Sequence, residues 1–242
     1  GLAGAQWLDR RVAEGQGFGQ APGLAPQGHG ALVARQAIER GAVVTREGVE
    51  LVQCADGLEG LGVQLQRAGR GVAAVQPVGQ QGAQAGIVTE HRHGMAGIKD
   101  VHPEAIEACL GRGEIAVVAG FQGMTETSEI TTLGPGGSDT TAVALTAALA
   151  AERCDIYSDV RGVFTADPQI VENARCLPAL SYEEMLEMTS SGTDLLSTSS
   201  LELALDTHIP IRVRASQNPD DLGTLITHKW VAPDYAICAV AV

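Results

Sequence analysis

The 242-residue sequence predicts an α/β domain in which a largely parallel sheet is covered by helices on both faces. Three observations carry that prediction. Beyond residue 114, runs of strand length alternate with runs of helical periodicity. Some strand-length runs, EIAVVAG after its first residue above all, are apolar throughout, as strands buried on both sides are. Apolar residues make up 45% and charged residues 19%, which excludes disorder and supplies a full core. At about 150 residues per domain, the length fits one large domain or a domain plus a fragment.

The elements follow in order. LAGAQWLDRRVAEG carries apolar positions at helical spacing, and the glycine- and proline-rich residues 15–30 read as loop. ALVARQAIERG predicts a helix ended by Gly41, and ELVQCADGLEGLGVQLQRAGRG a second, weakened by Gly57, Gly60 and Gly62. VAAV and GIV are short β-prone pieces around a Gly/Gln-rich turn. HPEAIEACLGRG predicts a helix starting near Pro103, because proline suits a first helical turn. EIAVVAG is then a strand, SDTTAVALTAALAAE a helix, CDIYSDV and GVFTA strands, SYEEMLEMTSSG and LLSTSSLELALDTH helices, and IPIRVRA a strand. Residues 1–227 form the domain. The tail 228–242 reads as a last strand or the start of a further module.

Charge and cysteine usage narrow the function. Asp and Glu outnumber Lys and Arg 29 to 16, a net charge of −13, so a nucleic-acid backbone is repelled. Five cysteines form no CxxC pair, which fits reduced thiols and a cytoplasmic protein. The longest apolar stretch, residues 142–151, is half of the roughly 20 residues that cross a bilayer, so no membrane span is expected. His91 and His93 with Glu90 lack further metal ligands, and no metal site is assigned. Glu183, Glu184 and Glu187 read as a solvent-facing helical stripe, Met185 and Met188 as core, and His208 as packing at a helix end.

The chemically richest stretch is ITTLGPGGSDTTAV, residues 130–143, where glycines and a proline lead into an alanine-rich helix. Ser138 or Asp139 is the expected N-cap. Glycines let the backbone approach a ligand closely, and free amides at a positive helix end favour a phosphate or a carboxylate. The loop is neither a Walker loop, since no GK[ST] follows, nor a dinucleotide fingerprint. Taken alone, it is equally well an ordinary strand-to-helix turn.

With its neighbours, the loop resembles the aspartate kinases of the amino-acid kinase family. The order GFQG, TTLGPGGSDTTAVAL, DIYSDVRGVFTADP, ARCLPALSYEEMLEM, PIRVRA and GTLI carries the resemblance over residues 114–226. REGVELVQCAD and QAGIVTEHRHGMAGI extend it upstream. It implies a three-layer α/β/α sandwich with a mainly parallel central sheet, binding ATP with Mg2+ and L-aspartate. The implied reaction is phosphorylation of the L-aspartate β-carboxylate, opening lysine, threonine and methionine synthesis, in a homodimer. By carry-over, Gly134, Gly136, Gly137 and Ser138 cradle phosphate and substrate, and Asp139 orients the reacting groups as catalytic residue. Asp56 receives the substrate's amino group and Phe121 closes over it. Tyr157, Asp159, Asp167 and Pro168 hold the base and ribose.

The cationic part of the pattern departs from the family. Its arginine in the glycine loop is Pro135, and the cation after its aspartate-proline pair is Gln169. Asp194 stands where GAKVLHP has lysine, and HGKAR reads HGMAG, with Met95 and Gly97. The first-strand KFGG motif belongs just before LAGAQW, so the first strand is expected to be missing. The family's second strand falls on the loop-like residues 15–30. One unit charge about 4 Å from a phosphate oxygen contributes about 4 kcal/mol at an effective dielectric near 20, so these departures predict weak or absent turnover. The alternative reading is an inactive paralogue that keeps the fold for assembly or small-ligand binding. Arg70, Arg161 and Lys229 are the candidate substitute cations.

Overall fold

The structure, a computed structural model, describes residues 40–45, 48–53, 78–80, 84–112, 116–193, 195–218, 221–228 and 239. Twelve strands and four helices are laid out among them. Strands β1 (Arg40–Thr45), β2 (Gly48–Gln53) and β3 (Val78–Gln80) come first. The strands β4 (Ile87–Thr89) and β5 (Ile98–Val101) precede α1 (Glu104–Gly111). Then come β6 (Ala116–Ala119), β7 (Gln122–Met124), β8 (Ile130–Thr132) and α2 (Gly137–Ala148). The last third holds β9 (Cys154–Ser158), β10 (Ala179–Leu180), α3 (Tyr182–Ser190), α4 (Thr198–Thr207), β11 (Ile211–Ala215) and β12 (Thr224–Ile226).

Eight strands form one sheet in the order β10-β12-β11-β9-β2-β1-β6-β3. Four neighbouring pairs are parallel, namely β10 with β12, β11 with β9, β2 with β9 and β3 with β6. Three are antiparallel, β1 with β2, β1 with β6 and β11 with β12. The sheet is therefore mixed, with β2, β3, β6, β9 and β11 all running the same way. Of a second sheet, β5-β4-β7-β8, only β4 has a counterpart in the sequence expectations, the β-prone GIV.

Burial explains which strands lie inside. In β6 and β9 three consecutive residues are buried, so both faces are covered, whereas β11 alternates buried and half-buried positions. Against the sheet lies α2, of whose twelve residues all but Thr140 are buried. Its alanines let the helix approach the strands closely, and Leu145, with no exposed surface, joins Ile156, Ile211 and Leu201 in the core. Its buried threonines turn their hydroxyls back to the helix: Thr141 donates to the Gly137 carbonyl at 2.8 Å and Thr146 to that of Ala142 at 2.7 Å. α3 opens on a capping box, Ser181 Oγ accepting from the Glu184 amide and Glu184 from the Ser181 amide. Glu184 is thus a cap rather than part of a solvated stripe. Met185 is fully buried, and Met188 packs against the core.

Several expectations are corrected. The helix ending at Gly41 is not formed at its end, because Arg40 and Gly41 already belong to β1, held between β2 and β6. Residues 50–53, expected to open a helix, are in β2, where VELV pairs with β1 on one side and β9 on the other. GVFTA makes only the bridge Phe164 to Cys176, since Gly162 at φ 150° breaks the extended run. His208 is an exposed left-handed C-cap, its ring 5.3 Å from that of His228. Cys154 and Cys176 are free thiols, and Cys109 is buried. No described helix is long and apolar enough to cross a membrane.

Candidate functional site

The five co-directional strands deliver their C-terminal ends to one edge of the sheet, where open α/β sheets take ligands. Past the end of β6 come Gly120 and Phe121, and past the end of β9 comes Asp159. Helix α2, about 18 Å long, runs back against β9, about 16 Å long, and so begins at this same edge. Contact confirms the placement, since a Cβ on Gly120 would lie 3.1 Å from Ser138 Cα.

The loop before α2 is shaped by glycine conformations. Gly134 has φ 86° and Gly136 φ 69°, both in the left-handed region that other residues rarely enter. Gly136 is the N-cap of α2, so Ser138 and Asp139 fall inside the first turn, contrary to the expected cap. The reason is steric as well as torsional: a Cβ on Gly136 would lie 2.1 Å from Ser197 Cβ. A Cβ on Gly137 would lie 2.7 Å from Leu133 Cβ and 3.4 Å from Phe121 Cα. The Gly137 amide turns back to the Gly134 carbonyl at 3.0 Å. Asp139 in the first turn complements the positive helix end.

Phe121 itself has φ 72°, a strained conformation for a side-chain-bearing residue. It is held there by two bonds. Its amide donates to Thr141 Oγ1 at 3.2 Å, and its carbonyl accepts from the Leu133 amide at 3.0 Å. The second sheet frames this corner, β7 leaving from Phe121 and β8 arriving at Leu133, while Ala96 binds the Thr132 carbonyl at 3.0 Å. Gly94 and Met95 close on Gly134, the Gly94 carbonyl 3.2 Å from where its Cβ would be. The structure thus brings Phe121, Gly134, Gly136, Gly137 and Ser138 together. Ser138 and Asp139 are each 6% exposed.

Tyr157 and Asp159 stand at the end of β9, and Asp167 and Pro168 on an exposed turn where Asp167 Oδ1 accepts from the Gln169 amide at 2.8 Å. Asp159 accepts from Ser158 Oγ at 3.0 Å. The cations here are engaged. Arg161, the proposed substitute, pairs with Asp221 at 2.7 Å. Arg214, which the sequence reading did not single out, lies over the Tyr157 ring at 5.4 Å, donates to its hydroxyl at 3.3 Å and to the Asp221 carbonyl at 3.1 Å, and faces Asp155 at 3.7 Å. The alternation of IRVRA and its register with β9, Arg214 opposite Tyr157, was the signal that could have found it. Ser197 and Thr141 had no local signal. The amide of Gly223 and then Arg161 hold the Asp221 carboxyl below its ordinary value. Burial pushes the Cys154 thiol up to about 12, with the Asp155 and Asp139 carboxylates adding to the shift.

Asp56, Asp194, Arg70, Lys229 and the segments 1–39 and 229–238 lie outside the described residues. His91 and His93 turn to Glu129, at 3.3 and 3.7 Å, rather than to Glu90. Among the described residues no group of three or more His, Cys, Asp or Glu is arranged to hold a metal ion.

Comparison with known proteins agrees with this architecture. The sequence is 52% identical over 148 residues to an aspartokinase of Geobacillus stearothermophilus, covering 61% of this chain and 36% of that protein. It is 56% identical over 146 residues to an aspartokinase of Corynebacterium glutamicum, covering 60% and 34%. The crystal structure of E. coli aspartokinase III in complex with aspartate and ADP (R-state) superposes with a TM-score of 0.57 at 32% identity, over 66% of this chain and 36% of that one. Aspartate kinase from Synechocystis gives 0.54 at 36% identity, over 72% and 27%. The chain spans about a third of the length of these relatives. The model of the amino acid kinase family matches residues 61–215, and the chain belongs to that family.

Proposed function

We propose that this chain is the phosphoryl-transfer part of an aspartate kinase. It takes ATP and L-aspartate at the C-terminal edge of the sheet and forms the mixed anhydride of the β-carboxylate, the first step toward lysine, threonine and methionine. The observation that carries the reading is the glycine loop: two left-handed glycines at the start of a buried helix, packed against Phe121, in a chain that is 52% identical over 148 residues to an aspartokinase. Such a start suits an anion, because its amides and dipole supply positive potential without a side chain.

Gly134, Gly136, Gly137 and Ser138 would hold the phosphates, and Asp139, on the same turn, would orient the reacting oxygens. Phe121, fixed by Thr141, would cover the amino acid, and Asp56 would receive its ammonium group. Tyr157, Asp159, Asp167 and Pro168 would border the nucleoside. When bound with the nucleotide, Mg2+ supplies charge neutralisation that phosphoryl transfer needs. The remaining demand on the protein is placement, which the loop meets through its backbone. The domain comprises residues 1–227, followed by a last strand or the beginning of another module, and the protein is a cytoplasmic homodimer.

A second reading is favoured by one observation: Arg161 and Arg214 are both engaged with carboxylates or their neighbours, while Pro135 and Gln169 bring no charge. It is an inactive paralogue that still binds a small ligand. Titration with MgATP followed by an aspartyl-hydroxamate assay separates the two. Saturation at millimolar concentration or below, with hydroxamate formed in proportion to protein, supports the kinase. Binding without hydroxamate supports the paralogue, and absence of binding overturns the kinase reading.

A further inference from the structure

The starts of α2 and α4, 61 residues apart in sequence, meet through one side chain. Ser197 is the N-cap of α4, its Oγ accepting from the Ser200 amide at 3.2 Å. The same Oγ donates to the Gly136 carbonyl at 3.3 Å. A hydroxyl has one proton and two acceptor sites, so Ser197 commits its proton to the glycine loop while a lone pair caps its own helix. Ser200 returns a bond from its hydroxyl to the Ser197 carbonyl at 2.8 Å, which fixes the residue from behind. The Gly136 carbonyl also accepts from the Thr140 amide at 3.1 Å and the Thr140 hydroxyl at 3.3 Å. Those two bonds lie within α2; the one from Ser197 comes from another helix. The Gly136 backbone meets the Ser197 side chain so closely that only a hydrogen fits where a Cβ would stand.

We propose that Ser197 is a positioning residue that clasps the glycine loop to the start of α4 and keeps Gly136 in its left-handed conformation. α4 also packs along α2 and against α3, so the clasp ties the loop to two helices. Its consequence for nucleotide affinity rests on the kinase reading; its consequence for the loop does not.

Three variants separate clasp from cap. Ser197→Ala removes both, Ser197→Asp keeps an acceptor for the Ser200 amide but has no proton for Gly136, and Ser197→Thr keeps both. Hydrogen exchange on the ligand-free chain should quicken over residues 134–140 by about three- to tenfold in the Ala and Asp variants and stay near wild type in Thr. Over residues 198–201 it should quicken in Ala alone. MgATP affinity should fall by a similar three- to tenfold in Ala and recover in Thr. Unchanged exchange over 134–140 in the Asp variant overturns the clasp. A wild-type chain that does not bind MgATP overturns the kinase reading instead, and the exchange pattern still decides the clasp.

Discussion

The two stretches of the strand-end edge are built on different physics. Around the glycine loop the fits are steric and made by backbone: Gly120 against Ser138, Gly136 against Ser197, Gly137 against Leu133. Around β9 and β11 they are made by charged side chains, with Arg161 63% exposed against Asp221. A backbone fit admits one residue type, whereas an exposed ion pair contributes little and is easily exchanged. The departures from the aspartate-kinase pattern fall accordingly. Met95, Gly97, Pro135 and Gln169 are all exposed, while the glycines in contact remain. Side-chain charge differs where the fold does not depend on it, and backbone shape stays where the fold does.

The largest expected effect tests whether charge matters on the steric side at all. Asp139→Asn should lower hydroxamate formation by about 10²–10⁴-fold, in the range for a group that acts on the reacting atoms. An equally active variant would break the assignment. Next comes Gly136→Ala, which combines a left-handed φ with overlap on Ser197 and should cost about 2–4 kcal/mol in urea unfolding. Gly94→Ala sharpens this result, because Gly94 has φ 88° but nothing within 4 Å, so only the torsional cost of about 1 kcal/mol applies. Equal losses at the two positions would remove the steric half of the contrast.

Two pH responses follow from the charged groups. The Cys154 thiol is raised from 9.0 to about 12 and the Tyr182 phenol from 10.0 to about 12, in both cases first by burial. A raised pKa gives stability that is complete below the unfolded value and is lost as pH rises toward the folded one. The melting temperature should therefore fall progressively above pH 9, with Cys154→Ala flattening the first part of the decline. Asp221 has the opposite sign. Its depressed pKa gives stability present above the ordinary 3.8 and lost as pH falls through the folded value. Arg161→Ala should shrink that acid response and shift the neutral melting temperature by no more than about 2 °C, the smallest effect of the set. A shift several times larger would give the charged side structural weight it lacks in the geometry.

Much of the second half of the fold was legible in the sequence. SDTTAVALTAALA gives α2 because small and apolar residues fill every face, EIAVVAG gives β6, and Ser181 with Glu184 announces the start of α3. The first half was misread where short windows satisfy two periods at once. Arg40–Gly41 and ELVQ fit helices locally, yet pairing with neighbouring strands makes them strand. Apart from GIV, the second sheet escaped notice because strands of three or four residues are too short to show alternation. At the site, the glycine loop and Phe121 could be read from local sequence. Ser197 could not, because its partner lies on another element and nothing in a serine's neighbours foretells a cross-helix bond.

The strand order of the main sheet has a further consequence. β1 runs against both β2 and β6, so the exits of those two strands are separated by two strand spacings, roughly 10 Å. The start of β1 lies between them, Arg40 paired with Gln53 and Gly41 with Ala119. That spacing is written in the chain's path rather than in its side chains. Drift among the surrounding residues leaves it in place, because nothing short of refolding the sheet can move it.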